Sequence, residues 1–212
     1  MAAVGSHETD GFGELGYGRT LERFLKPLHR GFLAVNRWCT APAIRAGLGP
    51  LFSNPLTGSM MVLRTTGRQS GRVRDAPLGY AIQDGAVWCI AGFGRSSHWF
   101  RNIEADPRVE VILPTATFSG IAEEVTEPEA WLAGFRLVVR SLGIIGRTVV
   151  PGALEASDAD LVERWQALPV VRIRPTGIGS GPSDPGGLAW LPLIVTEVLA
   201  LGTVVRWLRH RR

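Results

Sequence analysis

A run of short strand-like segments between residues 60 and 124 most constrains what this chain can fold into. Three segments rich in apolar and β-branched residues, 60–66, 72–82 and 86–92, are separated by only a few residues each. The second connection contains Asp84-Gly85, a dipeptide typical of tight hairpins. Because parallel neighbours need a long crossover, connections this short predict antiparallel strand pairing.

The same order continues toward the C-terminus. Ser96-Ser97 is expected to cap a short helix that ends before Asp106-Pro107. A second hairpin (109–113 and 116–126), two helices (127–142 and 157–167) and a closing strand (170–174) are expected to follow. This order predicts the α+β class, with a mainly antiparallel, barrel-like sheet, flanking helices and a C-terminal hydrophobic helix.

Composition shifts divide the chain into five segments. They are a flexible leader (1–18), an amphipathic helical segment (19–50), the barrel domain (51–175), a Gly- and Ser-rich linker (176–187) and a hydrophobic, basic tail helix (188–212). The amphipathic segment either packs on its own domain or lies on a membrane surface. The tail carries a single charge, Glu197, over residues 188–205 and ends in RWLRHRR. It is expected to span a membrane, lie on one, or pack within the protein or a dimer, and we favour membrane association.

Charge and cysteine content exclude several classes of protein. The chain has 212 residues and a formal net charge of +4, which is too small to indicate nucleic-acid binding. Two cysteines and four scattered histidines predict neither a disulfide scaffold nor a metal site. Free cysteines fit a reducing, cytoplasmic compartment, with the tail placing the protein at the inner face of the cell membrane.

The first half of a candidate anion site is the arginine-rich turn after the first strand. Arg64, Arg68, Arg72 and Arg74 fall within eleven residues, around a turn bounded by glycines at 67 and 71. Turn amides, the Ser70 hydroxyl and guanidinium groups together suit a phosphate or carboxylate. The alternative is a solvated hairpin tip.

The second half is the segment AGFGRSS (91–97), where a strand ends and a helix begins. Its two glycines allow a ligand to approach the backbone, and unpaired amides at a helix start favour anions. A plain tight turn is the alternative. Trp99 and Asn102 lie three residues apart and therefore point the same way. Both could face the ligand; the alternatives are that Trp99 belongs to the core and that Asn102 caps a local turn.

Taken together, TTGRQSGRVRDAPL (65–78) and IAGFGRSSHWFRNIEADPRVEV (90–111) resemble the deazaflavin (F420)-dependent nitroreductase and quinone reductase family, whose members are small split β-barrels. The resemblance implies that the arginine-rich turn holds the phosphate and glutamate tail of F420. It also implies that the 91–95 loop wraps the middle of the cofactor, with the ring system near the helix start. The cofactor-binding residues that it implies are Arg68, Gln69, Ser70, Arg72, Arg74, Pro77, Ala91, Gly92, Phe93, Gly94, Arg95, Ser96, Trp99 and Asn102.

The sequence departs from the family pattern at three places. Gln69 stands where the family has Lys, and Gly92 where nitro-reducing members have Ser. Those members also line the substrate pocket with C-terminal tyrosines, whereas this chain has only Tyr17 and Tyr80. No catalytic side chain is identified.

The expected function is transfer of hydride from reduced F420 to a flat acceptor such as a quinone, a nitroaromatic or an enone. A lipid quinone would explain the hydrophobic tail, and a homodimer is compatible with the fold. The alternatives are an FMN-dependent oxidoreductase on a similar barrel, and a membrane-associated protein that binds a cofactor or lipid without catalysis.

Overall fold

Six antiparallel strands form a closed barrel in the computed structural model, which describes residues 41–48, 53, 58–114, 116–144, 150–178, 195–202 and 206. The strands are β1 (Met60–Thr66), β2 (Val73–Gln83), β3 (Ala86–Ile90), β4 (Arg108–Ile112), β5 (Thr117–Glu124) and β6 (Val170–Ile178). Their order around the barrel is β1-β2-β3-β6-β5-β4. The predicted fold class and antiparallel pairing are confirmed.

Helices flank the barrel at the predicted places. They are α1 (Ala41–Ala43, continuing into a π-helical turn, Ile44–Leu48), α2 (His98–Ala105), α3 (Pro128–Ser141) and α4 (Asp158–Trp165). Pro128 occupies the first turn of α3, and the Ser157 hydroxyl accepts a hydrogen bond from the Asp160 amide at the start of α4. Pro128 and Ser157 are the residues that predict the starts of these two helices from the sequence.

The largest difference from the predicted elements is the length of β6. This strand pairs with both β3 and β5 and runs to Ile178, so the first three residues of the predicted linker belong to it. Because proline has no amide donor, Pro175 predicts the end of a strand. Pairing with β5 nevertheless extends β6 past this residue. The remaining predicted linker residues lie outside the described part of the chain.

The barrel interior is filled by apolar side chains from all six strands. Met61, Leu63, Cys89 and Val111 are fully buried there, and α2 contributes Trp99, Phe100 and Ile103 to the same cluster. A second cluster lies outside the barrel, where α3 and α4 cover β3. In it, the indole of Trp131 stacks on Phe135 with ring centroids 5.0 Å apart. Burial of this order supplies most of the stability of such a domain.

Close packing fixes α3 against the sheet. A Cβ on Gly134 would lie 2.7 Å from the Trp88 ring, so only glycine lets the helix approach this closely. On the opposite side of the barrel, Ala41 and Ile44 are buried against Val62 and Ile112. The described part of the predicted amphipathic segment therefore packs on its own domain.

An ion-pair network ties β1 to both of its neighbours. Arg64 Nε donates to Asp75 Oδ1 of β2 at 2.9 Å, and Arg64 Nη1 donates to Glu110 Oε2 of β4 at 2.6 Å. Arg45 Nη1 donates to the other Asp75 oxygen at 2.9 Å. Desolvation raises the pKa of the Asp75 carboxyl, but the hydrogen bonds and charges of Arg64 and Arg45 outweigh it and hold that pKa below its ordinary value.

The leader, residues 19–40 of the amphipathic segment and most of the tail lie outside the described residues. Within the tail, residues 195–202 form a helix in which every residue is exposed, including Val195, Val198, Leu199 and Leu201. Among the helices that the structure describes, none is long and apolar enough to cross a bilayer.

Candidate cofactor site

The strand register brings both halves of the predicted anion site to one end of the barrel. Thr66 lies opposite Val73, Ile90 opposite Val170, and Glu124 opposite Val171. The ends of β1, β3 and β5 and the starts of β2 and β6 therefore share one rim. We call this rim the site end. It carries the arginine-rich turn (67–72) and the 91–97 loop.

Asn102 of α2 fastens the turn to the barrel. Its Oδ1 accepts hydrogen bonds from the amide and from Nη1 of Arg68, both at 3.2 Å. Its Nδ2 donates to Thr65 Oγ1 at 3.1 Å, and both Asn102 and Thr65 are buried. The turn is therefore not a free solvated tip. Asn102 holds a turn that lies 34 residues earlier in the chain, and not the local turn that the alternative interpretation predicted.

Most amides of the turn are used within the turn itself. The Gly67 carbonyl accepts from the amides of Ser70 (3.1 Å) and Gly71 (2.7 Å), and Ser70 Oγ accepts from the Arg72 amide at 3.4 Å. The expectation that these amides bind an anion is therefore wrong. The amides of Ser70, Gly71 and Arg72 close the turn instead, and the Arg68 amide donates to Asn102. An anion at the turn would be held by side chains.

Two guanidinium groups are free to do so. Arg72 and Arg74 are both exposed, and neither side chain has an ion-pair partner in the described part of the chain. Arg64 is committed to Asp75 and Glu110, so it drops out of the predicted cluster. Gln69 is exposed in the turn beside them. With Arg68, whose guanidinium contacts only the neutral oxygens of Asn102 and His98, the turn presents three arginines that no carboxylate of the described residues neutralises.

The 91–97 loop leaves open space beside its main chain, but it does not present the unpaired amides that the sequence predicted, because the amides of Gly92, Gly94 and Ser97 donate to carbonyls within residues 90–94. The amide of buried Ala91 donates to the Pro169 carbonyl at 2.9 Å, which anchors the loop to the start of β6. Gly94 has φ +61°, a conformation that glycine adopts without strain. At exposed Gly92, a Cβ would meet no atom within 4 Å, so there is free space beside the main chain.

The predicted serine cap of α2 is only half right. Ser97 occupies the N-cap position, but its side chain accepts no hydrogen bond from the helix, and Ser96 Oγ donates to the Phe93 carbonyl at 2.7 Å. Among the described residues, Ser97 Oγ is the buried side-chain polar atom that has no hydrogen-bond partner. Buried hydroxyls are nearly always bonded, so Ser97 Oγ is an exception within the described part of the chain.

Three further predicted residues have different surroundings. Trp99 is buried in the barrel interior, edge-on to Phe100, so its core interpretation holds. Pro77 lies in the middle of β2 opposite Val62, away from the site end. Phe93 is half-buried in the loop.

Arg95 connects the loop to a neighbouring cavity. Its guanidinium forms ion pairs with Glu124 at the end of β5 and, at 3.5 Å, with Glu104 of α2. A cavity of about 330 Å³ opens beside this pair, bounded by Pro128 and Trp131 of α3 and by Pro169. Sequence reasoning missed Glu124, Trp131 and Pro169, because nothing local marks residues that only the closed barrel brings together.

The described side chains at the site end supply binding groups rather than a reactive nucleophile. The Cys89 thiol lies in the barrel interior, and burial raises its pKa to about 12, so it stays protonated at neutral pH. The exposed cations and open backbone fit a ligand with an anionic tail. Chemistry at such a site would come from a bound cofactor.

Several solved structures resemble this fold. An F420-H2 dependent reductase (FDR-A) is 23% identical, with a TM-score of 0.38, over 57% of this chain and 97% of that one. Rv2991 from Mycobacterium tuberculosis is 23% identical, with a TM-score of 0.40, over 60% and 87%. HutZ, the heme storage protein from Vibrio cholerae, is 17% identical, with a TM-score of 0.41, over 56% and 82%.

A family model identifies the barrel more specifically. The model described as F420H(2)-dependent quinone reductase matches residues 43–141, a stretch that runs from α1 to the end of α3. It includes the arginine-rich turn, the 91–97 loop and the Asn102 contact that joins α2 to the turn. Over these residues, which make up slightly less than half of the chain, the protein is similar to the F420H(2)-dependent quinone reductase family.

Proposed function

We propose that this protein binds F420 at the site end of the barrel and reduces a flat, quinone-type acceptor. The observation that carries the proposal is the pair of unpartnered guanidinium groups, Arg72 and Arg74, beside the open backbone at Gly92, within the stretch that the family model matches. FMN, which has a shorter anionic tail, is the alternative cofactor, and the binding experiment described below includes it.

The residues present fit F420. Its phosphate and glutamate tail would lie against Arg72 and Arg74, whose charges nothing else in the described chain neutralises. Gly92 leaves room for a ligand beside the main chain. The Ser97 hydroxyl, buried without a partner at the start of α2, could complete a hydrogen bond to a group bound there.

When bound, reduced F420 supplies one hydride and one proton, and a quinone that gains both becomes a hydroquinone. The protein's contribution is position. Asn102 holds Arg68 and the turn against α2, so the cations of the turn are set before a ligand arrives. Such preorganisation saves the entropy of ordering the turn on binding. The family description favours quinones over nitroaromatics and enones as the acceptor.

We also propose that the tail lies on an anionic membrane surface. In the helix at 195–202, Val195, Val198 and Leu199 share one exposed face, and residues 206–212 carry four arginines. An exposed apolar face followed by a basic cluster is typical of segments that bind anionic lipid surfaces. A membrane-bound enzyme would have direct access to lipid quinones.

The proposed cofactor is tested by titrating the full chain with F420, followed by fluorescence, and with FMN in parallel. The Arg72→Gln/Arg74→Gln double variant should weaken F420 binding at least tenfold, since each contact to a charged group is worth about 1.5–3 kcal/mol. Arg140→Gln is the matched control. This exposed arginine ends α3 at the opposite rim, where Ser141 contacts Ser59 and Tyr80.

We expect saturable F420 binding, weak FMN binding, and an unchanged affinity in the Arg140→Gln variant. Tight FMN binding without F420 binding would move the protein to the flavin-dependent class. Equal loss of affinity in the double variant and in the control would mean that the two turn arginines act only through overall charge.

A further inference from the structure

The cavity beside Arg95 lies at the site end but is separate from the arginine-rich turn. It is enclosed by the end of β5, the start of α3 and the end of α4, and its volume is about 330 Å³. That is at the lower end of the range for small-molecule sites. One or two fused rings fit such a volume. A cofactor with a ring system, a phosphate and a glutamate tail does not.

The lining of the cavity is mixed: Thr126 and Gln166 contribute polar groups besides Arg95 and Glu124, and the rest is apolar. Val125, Pro128, Val162 and Pro169 line it together with Trp131. The Trp131 indole is fixed, because its Nε1 donates to the Leu168 carbonyl at 3.0 Å and its ring stacks on Phe135. A fixed aromatic wall surrounded by aliphatic residues suits a flat apolar ligand better than a flexible polar one.

The rim of the cavity supplies hydrogen-bond donors without net charge. Arg95 and Glu124 form an ion pair there, so the rim has no uncompensated charge to attract an anion. A guanidinium has five N–H donors, and the pairs with Glu124 and Glu104 leave some of them for a further acceptor. The rim therefore suits an uncharged ligand that carries a carbonyl oxygen.

The cavity adjoins the loop at which the cofactor is proposed to bind. Arg95 belongs to both, and the Ala91 amide donates to Pro169 of the cavity wall at 2.9 Å. We infer that this cavity is the acceptor site, and that it takes an uncharged quinone of one or two fused rings. This inference rests on the proposed function, because an acceptor must lie next to the cofactor to be reduced.

Binding of 2,3-dimethyl-1,4-naphthoquinone to the cofactor-free full chain, measured by calorimetry, tests the inference directly. Both reactive ring positions of this quinone are methylated, so it cannot add to a thiol. Val162→Trp fills the cavity and should weaken quinone binding at least tenfold. Glu163→Trp places the same side chain on the neighbouring, exposed position of α4 and should change binding less than twofold.

Ala167→Trp, at the exposed edge of the cavity, is the second filling variant if Val162→Trp does not fold. In the F420-loaded protein, the filling variants should raise KM for the quinone and leave the Kd for F420 unchanged. The inference is overturned if the wild-type chain shows no saturable quinone binding, or if the filling and control variants bind it equally. Quinone binding that depends on Val162, in a chain that does not bind F420, would refute the proposed function and retain the cavity as a quinone site.

Discussion

Replacing Asn102 with leucine tests whether one buried amide holds the candidate site together. The substitution keeps the side-chain volume but removes three hydrogen bonds: two that Asn102 accepts from Arg68 and one that it donates to Thr65. Thr65 Oγ1 keeps a 3.4 Å hydrogen bond to the Arg74 carbonyl. The Arg68 amide is left without a partner beneath the turn.

The loss of stability follows from these contacts. Each of the three hydrogen bonds contributes about 0.5–1.5 kcal/mol. The total is about 3 kcal/mol. For a chain of this size, about 2–4 °C of Tm is lost per kcal/mol, so the melting temperature should fall by about 6–12 °C.

Asn102→Asp is the informative companion variant. A carboxylate still accepts both bonds from Arg68, and the Thr65 hydroxyl can turn to donate to it. The aspartate variant should therefore lose less stability than the leucine variant. It should also keep F420 affinity, which the leucine variant loses because its turn is no longer held against α2.

Thermal unfolding followed by circular dichroism, and F420 titration of both variants, measure these effects. A leucine variant that melts within 2 °C of the wild type would show that the turn is held by other contacts. Equal destabilisation by leucine and aspartate would show that the hydrogen bonds with Arg68 and Thr65, which aspartate retains, do not set the stability at this position.

Three further outcomes are expected. Asp75→Asn should lower the free energy of unfolding at pH 7, and the difference from wild type should shrink as the pH falls below about 4. The reason is that the lowered pKa of Asp75 stabilises the folded state while the carboxyl is ionised, and this stabilisation is lost on protonation. A difference in urea unfolding that does not change with pH would contradict this. Gly134→Ala should lower the free energy of unfolding by about 1 kcal/mol, because the cost of pressing a Cβ against Trp88 is larger than the gain in helix propensity. A higher Tm in this variant would refute the close contact. Deleting residues 188–212 should reduce turnover of a long-chain quinone in anionic vesicles but spare a soluble quinone, and equal loss of both would remove the proposed membrane role.

The barrel was predictable because its signals are local. Asp84 and Gly85 have φ values of 52° and 71°, the positive values that a tight hairpin turn requires and that this dipeptide adopts readily. Apolar residues at alternate positions then pair across the short connections. The full length of β6 was not predictable, because its last residues are held by β5, more than 50 residues earlier in the chain.

The candidate site was predictable in position but not in chemistry. The sequence shows four arginines within eleven residues and cannot tell them apart. In the structure Arg64 is neutralised by Asp75 and Glu110, and Arg68 is bound to Asn102, 34 residues away. Arg72 and Arg74 keep both their charge and all of their donors for a ligand, whereas Arg68 keeps its charge but already donates to the neutral oxygens of Asn102 and His98. The long-range partners, not the arginines themselves, decide which of them can bind an anion.

The same reasoning gives Arg95 a second role. By sequence it belongs to the loop that the family resemblance places around the cofactor. In the folded chain its charge is balanced by Glu124, 29 residues away, so it adds little to the attraction of an anionic tail. A paired arginine keeps N–H donors for a further acceptor, and this one lies at the rim of the cavity. Pairing with Glu124 thus converts Arg95 from an anion ligand into a donor suited to an uncharged carbonyl. The cofactor and its acceptor can therefore be recognised by different arginines at one end of one barrel.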